Sequence, residues 1–346
     1  DGVGKIHLWD LERRAEAERF SAHLGSTLSA QWLPDGRILS SGLDGAKIWR
    51  ARHPGAIQFK AYPGSLRCVA FSPDSRQLAA AGTAPLVSVL DLAGGQPART
   101  YTESGDFSVA VAFGPDGMAA SAGNDTVALW DPDSLATKWR IPLAPAPTAY
   151  WIAFSPDGSR VYAASEADVL TVLDAATGER LNSIGGLGRV LDGLAVSPDG
   201  RLLALCQKVG EEKLSVRSTD DLRELWQVPS LTERCAAFSP DGKWIAAGER
   251  DGAVRLWEVA TQGRVQLKLR GHVATVTGLG FHPDGSRLVS CSRDGQVKVW
   301  DWKAEVELLT LPLPGNGQAW HVAWSPDGST IAAAGDDGLV TVWRAE

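Results

Sequence analysis

Catalysis and metal binding need convergent side chains, and the residues able to supply them are few and scattered in this chain. Six histidines (His7, His23, His53, His272, His282 and His321) form no HxH or HExxH pair that would hold a metal. Four cysteines (Cys68, Cys206, Cys235 and Cys291) stand at least 29 residues apart, each inside an apolar run. A thiol there acts as a small hydrophobe, and unpaired thiols point to a reducing, cytoplasmic setting. GxSxG, P-loop and GxGxxG motifs are missing from any strand–turn–helix context, and the calcium spacing DxDxDG does not occur. The expectation is a chain without catalytic group, metal or cofactor.

Aspartate is abundant, but its spacing assigns it to turns. A Pro-Asp pair recurs at Pro34, Pro73, Pro115, Pro156, Pro198, Pro240, Pro283 and Pro326, with intervals of 39, 42, 41, 42, 42, 43 and 43 residues. Glycine follows in every copy but one, where Ser75 stands. Proline presets φ, aspartate bonds nearby backbone and glycine accepts positive φ. A fixed period in the forties marks one supersecondary unit whose apolar faces are covered by neighbouring copies.

The copy around Pro283 shows the elements most clearly. Val276–Phe281 reads as a first strand, Arg287–Cys291 as a second and Gln296–Trp300, alternating polar and apolar, as a third. Arg293-Asp-Gly295 supplies the hairpin between the second and third, and Val306–Thr310 reads as a looser fourth strand. Four-stranded units of this size cover their faces and shorten their edges when arranged radially.

The string Gly271-His272, Pro-Asp-Gly285, Ser-Arg-Asp-Gly295 and Val-Lys-Val-Trp300-Asp301 resembles a WD40 repeat. Similar endings occur at Trp9-Asp10, Trp49-Arg50, Trp130-Asp131, Trp257-Glu258 and Trp343-Arg344, so the resemblance covers nearly the whole chain. It implies an all-β propeller serving as a non-catalytic interaction scaffold. It also implies a structural hydrogen-bond relay through His272, Ser290, Asp294 and Trp300, repeated at His23, Ser40, Asp44 and Trp49. The stretch Val172–Arg180 is similar to the blade motif of quinoprotein dehydrogenases, but neighbouring repeats do not carry it. The Ala/Arg/Gly-rich, Met-poor composition looks like bacterial chains in which a propeller follows a kinase. An Asp start and a single methionine, Met118, suit a processed form or fragment of such a parent.

Counting turns predicts eight blades of four antiparallel strands over residues 1–346, read as one domain. Closure would set Ala17–Phe20 beside Thr341–Trp343. The alternative closes with Ala56–Ala61, counts seven blades from Pro73 and leaves residues 1–50 to a preceding propeller.

Partner binding is expected at the channel mouth, where first strands begin. Six places before each turn proline stand Leu28, Arg67, Val109, Tyr150, Asp192, Arg234, Thr277 and Trp320. Trp, Tyr and Arg are enriched at interaction hot spots. Arg67, Tyr150, Asp192, Arg234 and Trp320, with Phe107, Arg250, Arg293 and His321 nearby, form the candidate face for an acidic or aromatic-containing peptide. A small anion in the channel is the alternative. Net charge is −7 with both signs dispersed, so no basic stripe for nucleic acid is visible, and no apolar run is long enough to span a membrane. A monomer, or part of a longer multidomain chain, is the expected state.

Overall fold

The computed structural model describes residues 5–10, 15–21, 27–32, 37–42, 45–50, 57–60, 63–92, 98–102, 108–124, 126–143, 149–165, 169–187, 191–207, 213–229, 232–264, 266–313 and 317–344. Two compact units divide the chain: residues 1–55 with Leu309–Leu311, and residues 56–308 with 312–346. In the first, β1 (Lys5–Asp10) pairs with β2 (Ala15–Ser21), and β3 (Thr27–Trp32), β4 (Arg37–Gly42) and β5 (Gly45–Arg50) make a three-stranded sheet.

The second unit opens with β6 (Ile57–Lys60). It continues through β7 (Leu66–Phe71), β8 (Gln77–Gly82), β9 (Leu86–Asp91), β10 (Arg99–Thr102), β11 (Ser108–Phe113), β12 (Ala119–Gly123), β13 (Thr126–Trp130) and β14 (Thr137–Pro142). Next come β15 (Ala149–Phe154), β16 (Arg160–Ser165), β17 (Leu170–Asp174), β18 (Arg180–Ile184), β19 (Leu191–Val196), β20 (Leu202–Gln207), β21 (Lys213–Ser218) and β22 (Glu224–Pro229). The last are β23 (Thr232–Phe238), β24 (Trp244–Glu249), β25 (Ala253–Glu258), β26 (Gln266–Arg270), β27 (Val276–Phe281), β28 (Leu288–Ser292), β29 (Gln296–Asp301), β30 (Val306–Pro312), β31 (Ala319–Trp324), β32 (Thr330–Gly335) and β33 (Leu339–Arg344).

Among the described strands, five separate four-stranded blades result: β15–β18, β19–β22, β23–β26, β27–β30, and β31–β33 with β6. This corrects both the expected eight and its alternative of seven. Strands β7–β10 and β11–β14 share one eight-stranded sheet, joined where Ser108 pairs with Gly82. Gly82 also lets the start of β7 come close, because a Cβ there would lie 2.0 Å from the Ser65 carbonyl oxygen. A turn motif marks a first-to-second-strand connection but does not say how ladders divide into sheets. Closure by Ala17–Phe20 is corrected as well, whereas the alternative closing segment, Ala56–Ala61, is the one that pairs with the last strand. Ala17–Phe20 lies in β2 and pairs with β1, whereas the strand beside β33 is β6, with Phe59 opposite Val340. Phe59 packs against a core shared by Leu66, Val69, Leu78, Ala332 and Val340.

Sequence explains the layering within each sheet. Second strands such as Gln77–Gly82 and Thr330–Gly335 are small, apolar and almost wholly buried, because adjacent sheets cover both faces. Fourth strands such as β14 and β22 alternate exposed and half-buried, as an outer edge should. Cores form between successive sheets: Ala110, Val127 and Leu129 meet Ile152, Val161 and Leu173, and Val254 and Leu256 meet Leu279, Leu288 and Trp300. First strands β7, β11, β15, β19, β23, β27 and β31 each lie against the next, and β31 against β7, closing the second unit around a central channel.

The turn aspartates are held by local geometry. Ser72 donates to Asp74 at 2.6 Å, Arg76 N donates to Asp74 at 3.1 Å, and Ser155–Asp157, Ser197–Asp199 and Ser239–Asp241 repeat the arrangement. These bonds, led by the one from Ser155, hold the Asp157 carboxyl down at about 2.

Candidate functional site

The residues six places before each turn proline share a backbone irregularity. Leu66 opposes Gly82 and Cys68 opposes Ala81, so Arg67 is an extra residue in β7. The same register shift isolates Val109, Tyr150, Asp192, Thr277 and Trp320, and a longer interruption between Thr232 and Ala236 contains Arg234. In the N-terminal unit it isolates Leu28. A β-bulge leaves one residue out of the ladder and re-aims its side chain. The chain therefore repeats one device that frees a single position per first strand.

What the bulges present differs from copy to copy. Arg67 lays its guanidinium carbon 3.7 Å from the centre of the Trp320 ring, and Arg293 lies 5.1 Å from the same ring. Indole faces attract guanidinium, by about 0.5–2 kcal/mol per contact depending on desolvation. All three side chains are half-buried. Thr277 instead turns inward, donating its hydroxyl to Ala319 O at 2.7 Å, and Val109 is buried. The side chains of Tyr150, Asp192 and Arg234 lie outside the described residues, as does Phe107.

The loop before β27 continues the arc. Arg293 N donates to Thr275 O at 3.0 Å and Val273 N to Asp294 at 3.1 Å, seating residues 272–275 against the Arg293–Gly295 turn. Val273 is 84% exposed, unusual for a valine in an ordered loop, and nothing in the sequence pattern singles it out. The next turn carries exposed Arg250, and a Cβ on its Gly252 would lie 2.3 Å from His272 O, so these segments touch. Arg250, Val273, Arg293, Trp320 and Arg67 thus follow one another along one rim.

His321 sits one place beyond its bulge and points elsewhere. Its Nδ1 accepts from Val69 N at 3.4 Å, and its ring centre is 5.7 Å from that of Trp151 on β15. Strands β7 and β11 separate β31 from β15, so the two rings meet across the channel. Burial pushes the His321 imidazole down to about 4, leaving it neutral at pH 7.

Behind the rim, His272, Ser290, Asp294 and Trp300 are hydrogen-bonded in series. Trp300 Nε1 donates to Ser290 Oγ at 2.8 Å, Ser290 Oγ lies 2.9 Å from His272 Nε2, and His272 Nδ1 lies 2.9 Å from Asp294 Oδ2. Each group is used once if Ser290 donates to Nε2 and Nδ1–H donates to Asp294. Burial pushes the His272 imidazole down, consistent with that neutral tautomer. Burial acts upward on Asp294, but the bonds from His272, Val273 N and Gln296 N outweigh it and hold the carboxylate ionised. Trp130 donates to Ser121 at 2.9 Å in the same manner, without a histidine. Of the second expected relay, Ser40 falls in β4 and Trp49 in β5. Those two side chains, and His23 and Asp44 altogether, lie outside the described residues.

Among the described residues no group of three His, Cys, Asp or Glu could hold a metal, and no helix is long and apolar enough to cross a membrane. All four cysteines are buried thiols outside any disulfide. Burial pushes the Cys68 thiol up to about 11 and Cys291 up to about 12. Such thiols are poor nucleophiles.

Comparison with known proteins agrees with this geometry. The WD40 family profile, described as WD domain, G-beta repeat, matches residues 56–84, 233–258, 263–301 and 307–344. WD repeat-containing protein AAC3 of Dictyostelium discoideum is 22% identical over 270 residues, covering 69% of this chain and 48% of that protein. Telomerase protein component 1 of Rattus norvegicus is 26% identical over 270 residues, covering 75% of this chain and 10% of that protein. Autophagy-related protein 16 of Arabidopsis thaliana is 25% identical over 257 residues, covering 70% and 50%. The chain spans about half or less of each of these relatives. They are eukaryotic proteins and lend no support to a bacterial, kinase-fused parent. Together the matches support a WD40 β-propeller domain.

Proposed function

We propose that this WD40 propeller is a non-catalytic scaffold that captures an acidic segment of a partner protein on the rim formed by Arg250, Val273, Arg293, Trp320 and Arg67. The observation that carries this reading is the stacking of two guanidinium groups on one bulge-presented tryptophan. A guanidinium held on an indole has already lost much of its rotamer freedom, so less entropy is lost when it binds a carboxylate. The arrangement is basic on a chain of net charge −7, which suits recognition rather than solubility. Val273 adds a small apolar contact beside the charges. Tyr150, Asp192, Arg234 and Phe107 belong to the proposed face by sequence position.

An array of acidic, basic and neutral peptides, probed with the whole chain, tests the proposal. Acidic peptides should dominate the hits, bind more weakly as salt rises, and lose binding at least tenfold to the Arg67→Ala/Arg293→Ala variant. Hits that are neutral or basic, or acidic hits that bind the variant unchanged, would exclude this face.

A further inference from the structure

The first strands end in the Pro-Asp turns, at the other end of the channel from the bulges, and a cavity of about 400 Å³ lies there. Phe71, Phe113 and Phe154, the last residues of β7, β11 and β15, line it. The prolines of four turns form its lip, so the aspartates that follow them, Asp74, Asp116, Asp157 and Asp327, stand around the opening. Trp151, one residue before the lining Ile152, meets His321 across the channel, and this ring pair stands between the cavity and the arginine rim. A concave, largely apolar hollow of this size with a few polar groups suits a small ligand.

One turn at the cavity departs from the repeat. Ser72, Ser155, Ser197, Ser239 and Ser325 precede their turn prolines, and each donates its hydroxyl to the aspartate two places on at 2.5–2.6 Å. Gly114, which lines the cavity, takes that place before Pro115. Asp116 accepts from Met118 N at 3.1 Å, and among the described residues no hydroxyl donates to it. Gly114 lacks the positive φ of Gly117, so its backbone does not require glycine. A Cβ there would instead lie 2.8 Å from Asp116 Oδ1 and 3.0 Å from the Phe154 ring. The missing side chain leaves a carboxylate oxygen and a phenyl ring bordering one small space that a serine would fill.

A carboxylate beside phenyl rings favours a cation with an apolar body. The body leaves water against the rings, and the charge is attracted by both the carboxylate and the ring faces. An anion would meet four aspartates, of which Asp74 alone has a cation partner among the described residues, Arg76 at 3.8 Å.

We propose that this cavity binds a small organic cation, a primary ammonium or guanidinium on an aryl or alkyl body, with the body against Phe113 and Phe154 and the charge at Asp116. The site is independent of the arginine rim at the opposite end of the first strands.

The probe is phenylpropylammonium, titrated into the whole chain and followed by ligand-observed NMR, beside phenylpropanol and phenylpropanoate. Saturable binding of the ammonium is expected, about fivefold or more tighter than that of the alcohol, with the carboxylate weakest. Gly114→Ser, which restores the serine of the other turns, and Asp116→Asn, which keeps the acceptor for Met118 N, should each weaken it about fivefold. Arg67→Ala/Arg293→Ala should leave it unchanged. No saturable binding, an alcohol or carboxylate that binds as tightly as the ammonium, or unchanged binding to either folded cavity variant would overturn the proposal. So would loss of binding in the arginine variant. Asp116→Asn tests the proposal even if Gly114→Ser folds poorly.

Discussion

Ser290 occupies the middle of a buried chain of donors and acceptors, so its loss affects two neighbours together. Ser290→Ala removes the acceptor for Trp300 Nε1 and the donor for His272 Nε2, and should cost about 1–3 kcal/mol in urea unfolding. Ser121→Ala removes the acceptor for Trp130 Nε1, with no described histidine beyond it, and should cost less. Equal losses would show that His272 Nε2 gains nothing from the bond. A second residue-scale effect is acid sensitivity. Unfolded histidine takes its proton near pH 6.5, whereas folded His321 does so only at about 4. Between those values the unfolded chain holds more protons, so this contribution is fully present above about pH 6.5 and is lost as pH falls toward about 4. His272 acts in the same direction. His321→Gln should flatten the stability profile across that window, and an unchanged slope would assign the acid sensitivity elsewhere.

Among the elements, the repeated turn separates backbone strain from contact. Gly285 has φ of 72° and its nearest obstacle to a Cβ is Pro240 at 3.8 Å. Gly328 has the same φ of 72°, but a Cβ there would lie 2.4 Å from His282 Nε2. Gly285→Ala should cost about 1 kcal/mol from the left-handed backbone alone, and Gly328→Ala distinctly more, because the histidine must move. Similar losses would mean that His282 yields freely. Ser75 holds φ of 60° without glycine, and its hydroxyl accepts from Asp327 N at 3.1 Å. The strands and turns were legible because their alternation and turn chemistry are local. The bulges were not: an extra residue in a ladder shows only against the partner strand, so Arg67 and Trp320 stood out by residue type and phase while their shared cause stayed hidden.

For the whole molecule, β6 makes a direct prediction. Removing residues 1–55 should leave the second unit cooperative and near its original Tm, because β6 and its place on β33 are kept. Removing residues 1–62 takes β6 and Phe59 away from the core shared by β7, β32 and β33, and should lower Tm by about 5 °C or more. Equal melting of the two truncations would show that β6 contributes little to closure.

Period, turn residues and strand alternation by themselves determined an all-β repeat array, with second strands inside and aspartates committed to turns. Those properties depend on neighbours in sequence, and each copy restates them. Tertiary structure alone decided which strand closes which sheet, since Ile57–Lys60 satisfies a fourth-strand pattern for either neighbour and only packing of Phe59 beside Val340 selects one. It also decided that two repeats share a sheet at Gly82, that Arg67 and Arg293 meet on Trp320, and that Trp151 reaches His321 across the channel. Each of these contacts joins residues at least 26 positions apart, and a period of about 42 residues is blind to which copies become neighbours in space.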